Sequence, residues 1–192
     1  MELLLCFACT LALAACKHEP LPKLMQVPDF RFTNQDGRPF GSSELNGHVW
    51  IAGFMFTSCP DVCPILTEKL RGLQRRVQTK AKSVQFVSIS VDPTTDTPAR
   101  LTAYANQHHA DTRSWNFLTG PQEALAQVIV EGFKQRLEQP KDNPLGILHG
   151  THFVLVDPRG MVRGFYRTDL DGMRALARDA VLLSEDTPPA KP

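Results

Sequence analysis

An apolar run from Val49 to Phe56 leads directly into Thr57-Ser58-Cys59-Pro60-Asp61-Val62-Cys63-Pro64. No other stretch narrows the available folds as much. A near-continuous apolar run is the pattern of a strand buried on both faces. After the cysteines, Leu66, Leu70, Leu73 and Val77 recur at spacings of four, three and four, one stripe of a helix. A dithiol is therefore expected between a core strand and a helix.

The rest of the chain repeats this alternation. Phe30, Phe32 and Phe40 flank Asn34-Gln35-Asp36-Gly37, a hairpin turn between short strands. Val84 to Val91 reads as a second core strand. Thr97-Pro98 opens a helix with Thr as cap and Pro at the first helical position; Leu101, Tyr104 and Ala105 form its inner face. Trp115 to Leu118 reads as a strand, and Gly120-Pro121 opens a helix through Leu125, Val128, Ile129 and Phe133. Gln139 to Gly146 reads as a polar loop. Thr151–Val156 and Met161–Tyr166 form a hairpin around Asp157-Pro158-Arg159-Gly160. A last amphipathic helix runs from about Asp171 to Leu182. The element order suggests an α/β or α+β layered fold, and α/β with a central mixed β-sheet flanked by helices is the expectation. A dithiol between its central strand and helix is the thioredoxin arrangement, so the fold is expected to be thioredoxin-like.

The 192 residues suit one domain with tails. Net charge is +1, so no nucleic-acid partner is expected. The one basic stretch, Arg71, Arg75, Arg76, Lys80 and Lys82, suits the solvated face of a helix. Leu3 to Ala15 is apolar and rich in small residues, at about 13 positions too short for the ~20 of a membrane span. It ends Leu13-Ala14-Ala15-Cys16, the form of a bacterial lipoprotein signal, although Met1-Glu2 lacks the usual positive charge. Residues 1–15 are expected as signal peptide, Cys16 as the lipidated residue, 16–28 as tether, 29–183 as the domain and 184–192 as a disordered tail. Export to the periplasmic side of the membrane, held by a lipid anchor, follows. Of the five cysteines, Cys59 and Cys63 would then remain as the thiols of the mature domain.

Thiolates are soft ligands favouring Cu(I), and the thiolate is also the reactive form in redox chemistry. The pair can bind metal, exchange disulfides, or do both; an inert structural bridge is the plain alternative. Pro64 lacks an N–H and fits a helix's first turn, which places both cysteines in the loop before the helix. The helix dipole there lowers thiol pKa values. Asp61 either tunes the thiols or caps the following turn. Asp92 either hydrogen-bonds the site or makes an Asp-Pro turn. His108 and His109 are adjacent on a helix and point apart, so a surface or helix-end role is expected. Neither His48 nor His18 is assigned as a ligand.

These residues resemble the Sco/SenC/PrrC family, copper-binding thioredoxin-like factors for cytochrome oxidase assembly. The likeness spans about Phe30 to Leu182. Thr57-Ser58-Cys59-Pro60-Asp61-Val62-Cys63-Pro64 is similar to the family's T-x-C-P-D-V-C-P. Ser90-Val91-Asp92-Pro93 with Asp96-Thr97-Pro98 resembles its D-P-x-x-D-T-P, and Trp115 with Leu118-Thr119-Gly120 its W-x-x-L-T-G. His149 stands where the family's ligand histidine precedes its final hairpin. Family members often carry Arg at Thr95 and Lys at His48. The resemblance implies copper, as Cu(I) or Cu(II), on Cys59, Cys63 and His149, with His152 the rival histidine. It implies delivery to the binuclear copper site of cytochrome c oxidase subunit II. Other periplasmic copper carriers or thiol reductants are further partners.

The alternative is a thiol-disulfide reductase using Cys59 and Cys63 as a redox pair to keep the target cysteines reduced. A Cys2His set suits zinc as well as copper; the resemblance and the export signal favour copper. A peroxiredoxin-type peroxidase shares the strand-cysteine-helix plan. It usually has Thr or Ser three residues before its cysteine and Pro seven before; here those are Phe56 and Ala52.

Overall fold

The computed structural model describes residues 19–134 and 152–186, with the backbone pairing of 137–138 and 147–148. Its elements are β1 (Met25–Gln26), β2 (Arg31–Asn34), β3 (Pro39–Gly41), α1 (Ser42–Leu45), β4 (Trp50–Met55), α2 (Val62–Gln78), β5 (Gln85–Ser90), α3 (Pro98–Gln107), β6 (Trp115–Thr119), α4 (Gln122–Gln127) running into a π-type turn (Val128–Gly132), β7 (Leu137–Glu138), β8 (Ile147–Leu148), β9 (His152–Val156), β10 (Met161–Arg167) and α5 (Leu170–Glu185).

The eight-stranded sheet has the order β1-β10-β9-β4-β5-β6-β2-β3. β4, β5 and β6 are parallel; the outer pairs are antiparallel. The expected mixed sheet with flanking helices is present. β4 lies central because both of its faces are apolar, as its six consecutive buried residues show. Alternation divides them. Ile51 and Met55 face a layer of α2, α3 and α5 side chains, including Leu70, Leu101 and Leu176. Trp50, Ala52 and Phe54 face Phe30, Leu125, Ile129 and Phe133 on the other side. Phe86 and Val87 of β5, and Phe153 and Val154 of β9, divide the same way, as period-two geometry requires.

Register sets what meets at each end. Met55 pairs with Ser90, so the cysteine loop and the Asp92–Thr97 turn leave the sheet side by side. β9 runs antiparallel to β4, with Trp50 opposite Val156, so it begins at His152 at the cysteine end. Arg167 lies opposite His152, so β10 finishes there and feeds α5. The Asp157–Gly160 turn stands at the far end, closed by Gly160 at φ +76°.

Two expectations change. The 16–28 tether is partly inside the fold. Met25–Gln26 pairs with β10. Buried Arg163 donates from Nε to the Pro22 carbonyl at 2.8 Å, from Nη2 to the Leu21 carbonyl, and from Nη1 to Asp157 Oδ2 at 3.1 Å. A two-residue strand has no periodicity to read. Ser184 and Glu185, expected in the tail, complete the last turn of α5. β7 and β8 form a small antiparallel pair flanking the expected 139–146 loop; that loop lies outside the described residues, as do 1–18 and 187–192.

Candidate functional site

Cys59 lies in the loop between β4 and α2, and Cys63 is the second residue of α2. The expectation that both precede the helix is corrected for Cys63. The first N–H groups of a helix have no intrahelical partner, so Pro64 is tolerated one position deeper. Asp61 occupies the N-cap position but makes no side-chain cap bond.

The two thiols are free, and their surroundings differ. Cys59 is half-buried, and its Sγ accepts the Cys63 N–H at 3.3 Å. Burial opposes its ionisation. The Cys63 N–H and thiol, with the N–H groups of Asp61 and Val62, outweigh that and hold the Cys59 thiol below its ordinary value. Cys63 is buried against the core layer of Leu70, Leu101 and Tyr104. Burial first, then the adjacent Cys59 and the charge of Asp96, push its thiol up to about 12, against a hydrogen bond from the Phe56 N–H. One thiol is therefore the more readily ionised. The other is a protected thiol that gives up its proton when a metal or a sulfur bond takes its place.

The cysteine loop is held from below by a residue the sequence did not single out for a role. Asp96, 0% exposed, accepts the Thr57 N–H at 3.0 and 3.3 Å, the Thr57 hydroxyl at 2.5 Å and the Ser90 hydroxyl at 2.6 Å. It joins the loop, the end of β5 and the start of α3. Its motif neighbours Thr97 and Pro98 gave the only signal, since the partners lie up to 39 residues away.

Asp92 makes the Asp-Pro turn: its carbonyl accepts the Thr95 and Asp96 N–H groups at 3.2 and 2.9 Å. Its Oδ1 accepts the Thr94 hydroxyl at 2.7 Å, while Oδ2 is buried and unpaired among the described residues. No hydrogen bond joins Asp92 to either cysteine among the described residues. Burial works against the charged form, and the Thr94 and Thr95 bonds with the Arg100 charge outweigh it, keeping the carboxyl below its usual range.

His152 opens β9 at the cysteine end, half-buried. His149 and Cys16 lie outside the described residues. His48 is half-exposed, with a buried Nδ1 that has no hydrogen-bond partner among the described residues. His108 is not a surface residue: it is buried at the end of α3, its ring tilted 44° against Tyr104 at 4.3 Å between centroids, with Nδ1 3.5 Å from Glu68 Oε1. The spacing Leu101, Tyr104, Ala105, His108 is the signal that could have found it. Tyr104 in turn shares a 2.8 Å bond with Thr67, one turn beyond Cys63.

The described residues thus bring two soft donors together and no third: no group of three His, Cys, Asp or Glu able to hold a metal occurs among them. A dithiol of this softness suits Cu(I), with a further ligand needed for a three-coordinate site.

Residues 19–182 match the SCO1/SenC family. A SCO1/SenC family lipoprotein from Bacillus anthracis superposes with a TM-score of 0.77 at 38% identity, over 83% of this chain and 95% of that one. BsSco, a member of the Sco family of cytochrome c oxidase assembly proteins in which a disulfide switch has been identified, gives 0.77 at 29% identity over 88% and 99%. Bradyrhizobium japonicum ScoI with copper bound gives 0.69 at 25% identity over 83% and 99%. The shared architecture is the thioredoxin-like one described above.

Proposed function

Because the chain belongs to the SCO1/SenC family, we propose that it carries copper for the assembly of cytochrome c oxidase. It takes copper as cargo on Cys59, Cys63 and His149 and passes it to the binuclear copper site of subunit II. The unequal dithiol at the open end of the sheet carries this reading. Cys59, cradled by N–H groups at the helix start, is the more readily ionised thiol, and the thiolate is the form that captures a soft ion. Cys63 follows one helical turn later and loses its proton on ligation. Both relatives' activities, copper binding in ScoI and oxidase assembly in BsSco, agree with it. The chain enters β9 at His152, at the dithiol end, and His149 stands three residues earlier in sequence. Asp61 and Asp92 flank this centre as supporting residues. Lipidation at Cys16 would hold the domain on the periplasmic side of the membrane, in keeping with the lipoprotein relative.

The same asymmetry favours a second reading, thiol-disulfide reductase. The Cys59 thiolate attacks one sulfur of a target disulfide, forming a mixed disulfide and releasing the other target sulfur as a thiolate; Cys63, giving up its proton, then attacks Cys59 and displaces the second target thiolate, closing the Cys59–Cys63 bridge with the target reduced. The disulfide switch of BsSco supports it. Both readings need the two cysteines, and only copper carriage needs His149.

The reduced protein is titrated with copper and followed by optical and electron paramagnetic resonance spectra. One copper per chain is expected, with thiolate-to-copper charge transfer lost in Cys59→Ala and Cys63→Ala. His149→Ala weakens copper binding by at least about tenfold, roughly 1.4 kcal/mol, and leaves disulfide exchange intact; His152→Ala changes neither. Unchanged copper affinity in His149→Ala removes His149 from the ligand set. No stoichiometric copper, with a readily cycled Cys59–Cys63 bridge, leaves the reductase.

A further inference from the structure

α2 carries a second pattern beside its buried stripe. Val62, Ile65, Lys69, Gly72 and Arg76 follow at spacings of three, four, three and four and form one outward ridge. Val62 is 48% exposed and Ile65 56%, both beside the cysteines. Farther along, the ridge borders a groove of about 460 Å³ against the start of α5, with Leu170, 63% exposed, and Met173 on the far wall.

The groove's carboxylates are already paired. Glu68 bonds Arg71 at 2.7 Å, and Asp169 pairs with Arg167 and caps the Gly172 N–H. Lys69 is on the Thr168 carbonyl at 2.8 Å. Arg75 and Arg76 are exposed with no carboxylate partner among the described residues. The rim is therefore cationic. At its centre stands Gly72, inside a 17-residue helix where glycine is among the poorest formers. A Cβ on Gly72 would meet nothing within 4 Å, so the domain's own packing does not require this glycine. A bare position in a helix that its own fold does not use suits close approach by another backbone.

We propose that this ridge and groove dock an acidic, leucine-bearing segment of the protein on which the dithiol acts. Its backbone lies against Gly72, its apolar side chain sits between Leu170 and Met173, and its carboxylates face Arg75 and Arg76. The proposal rests on the reading that Cys59 and Cys63 serve another protein. An anionic lipid surface offers the same charge. The groove's α5 wall, however, follows the strand end beside the dithiol, whereas Glu19 and Pro20 lie at the opposite end with Asp157, Pro158 and Glu185. The chain toward any anchor leaves from the far side, which favours a protein partner.

Two fluorescein-labelled, cysteine-free dodecapeptides test it by anisotropy against the full chain. One carries Asp, Glu and Leu; in the other Lys replaces each acidic residue. The acidic peptide binds at least about tenfold more tightly, and about 1 M salt, with its ~3 Å screening length, removes the difference. The double variant Arg75→Glu/Arg76→Glu loses the preference. Gly72→Leu loses binding while its Tm stays at or above the parent's, which a misfolded variant does not do. Copper stoichiometry is unchanged in both. Equal binding of the two peptides, no binding, or preference for phosphatidylglycerol vesicles over the acidic peptide overturns the docking surface. Peptide binding lost with copper binding intact removes this surface alone; peptide binding intact without copper removes the copper reading alone.

Discussion

Asp96→Ala lowers the unfolding free energy by about 3–5 kcal/mol, since it strands buried donors that had one shared acceptor. The Ser90 hydroxyl and the Thr57 N–H and hydroxyl all converge on this one fully buried side chain. Leaving each buried donor unsatisfied costs about 1–3 kcal/mol. Asp96→Asn keeps the volume but turns one acceptor into a donor facing donors, so it recovers only part of the loss. Urea unfolding measures both variants. Thr57 is two residues before Cys59, so the loop also loses its hold, and Cys59 labelling in the folded variant reads that separately. An unchanged urea midpoint in Asp96→Ala would mean that the loop is held by other contacts.

In the reduced protein at neutral pH, iodoacetamide modifies Cys59 at least about thirtyfold faster than Cys63. Burial pushes the Cys63 thiol up to about 12, while the surrounding N–H groups hold the Cys59 thiol below the ordinary 9.0. Their thiolate fractions at pH 7 therefore differ by at least about a thousandfold. The more basic thiolate is intrinsically the better nucleophile, with β of about 0.5, which offsets about half of that gap on a logarithmic scale. Burial of Cys63 widens it again. The sign with pH follows. The Cys59 rate levels off at lower pH than the Cys63 rate, which is still climbing beyond pH 11. Mass spectrometry of timed, quenched samples resolves the two sites. Comparable rates at pH 7 would show that the helix N–H groups do not distinguish the sulfurs.

β4 and α2 were legible because burial on two faces and burial on one stripe leave different periods, and both are long enough to read. The dithiol's place between them followed. Its polarity did not: which sulfur is cradled and which is buried depends on Cys63 joining the helix, a one-residue matter that Pro64 permits but does not decide. Asp96 was invisible as a clamp because its donors come from β4's exit and β5's end, brought together by the Met55–Ser90 register. β1 was missed because two residues carry no period, and the Arg163 bonds to Leu21 and Pro22 reach across about 140 positions of sequence.

Those Arg163 bonds also set a leash. The described chain begins at the end of the sheet opposite the dithiol, and β4 alone spans about 20 Å at ~3.3 Å per residue. If the chain is held at Cys16 as proposed, the dithiol lies at the end of the sheet away from the point where the described chain begins. Were Arg163 or Asp157 lost, residues 21–27 could peel from β10 and release up to about 25 Å of slack at 3.3–3.6 Å each. Under the proposed anchoring, Arg163 would then govern the reach of the domain, and with it how often the dithiol meets a partner held in the same surface.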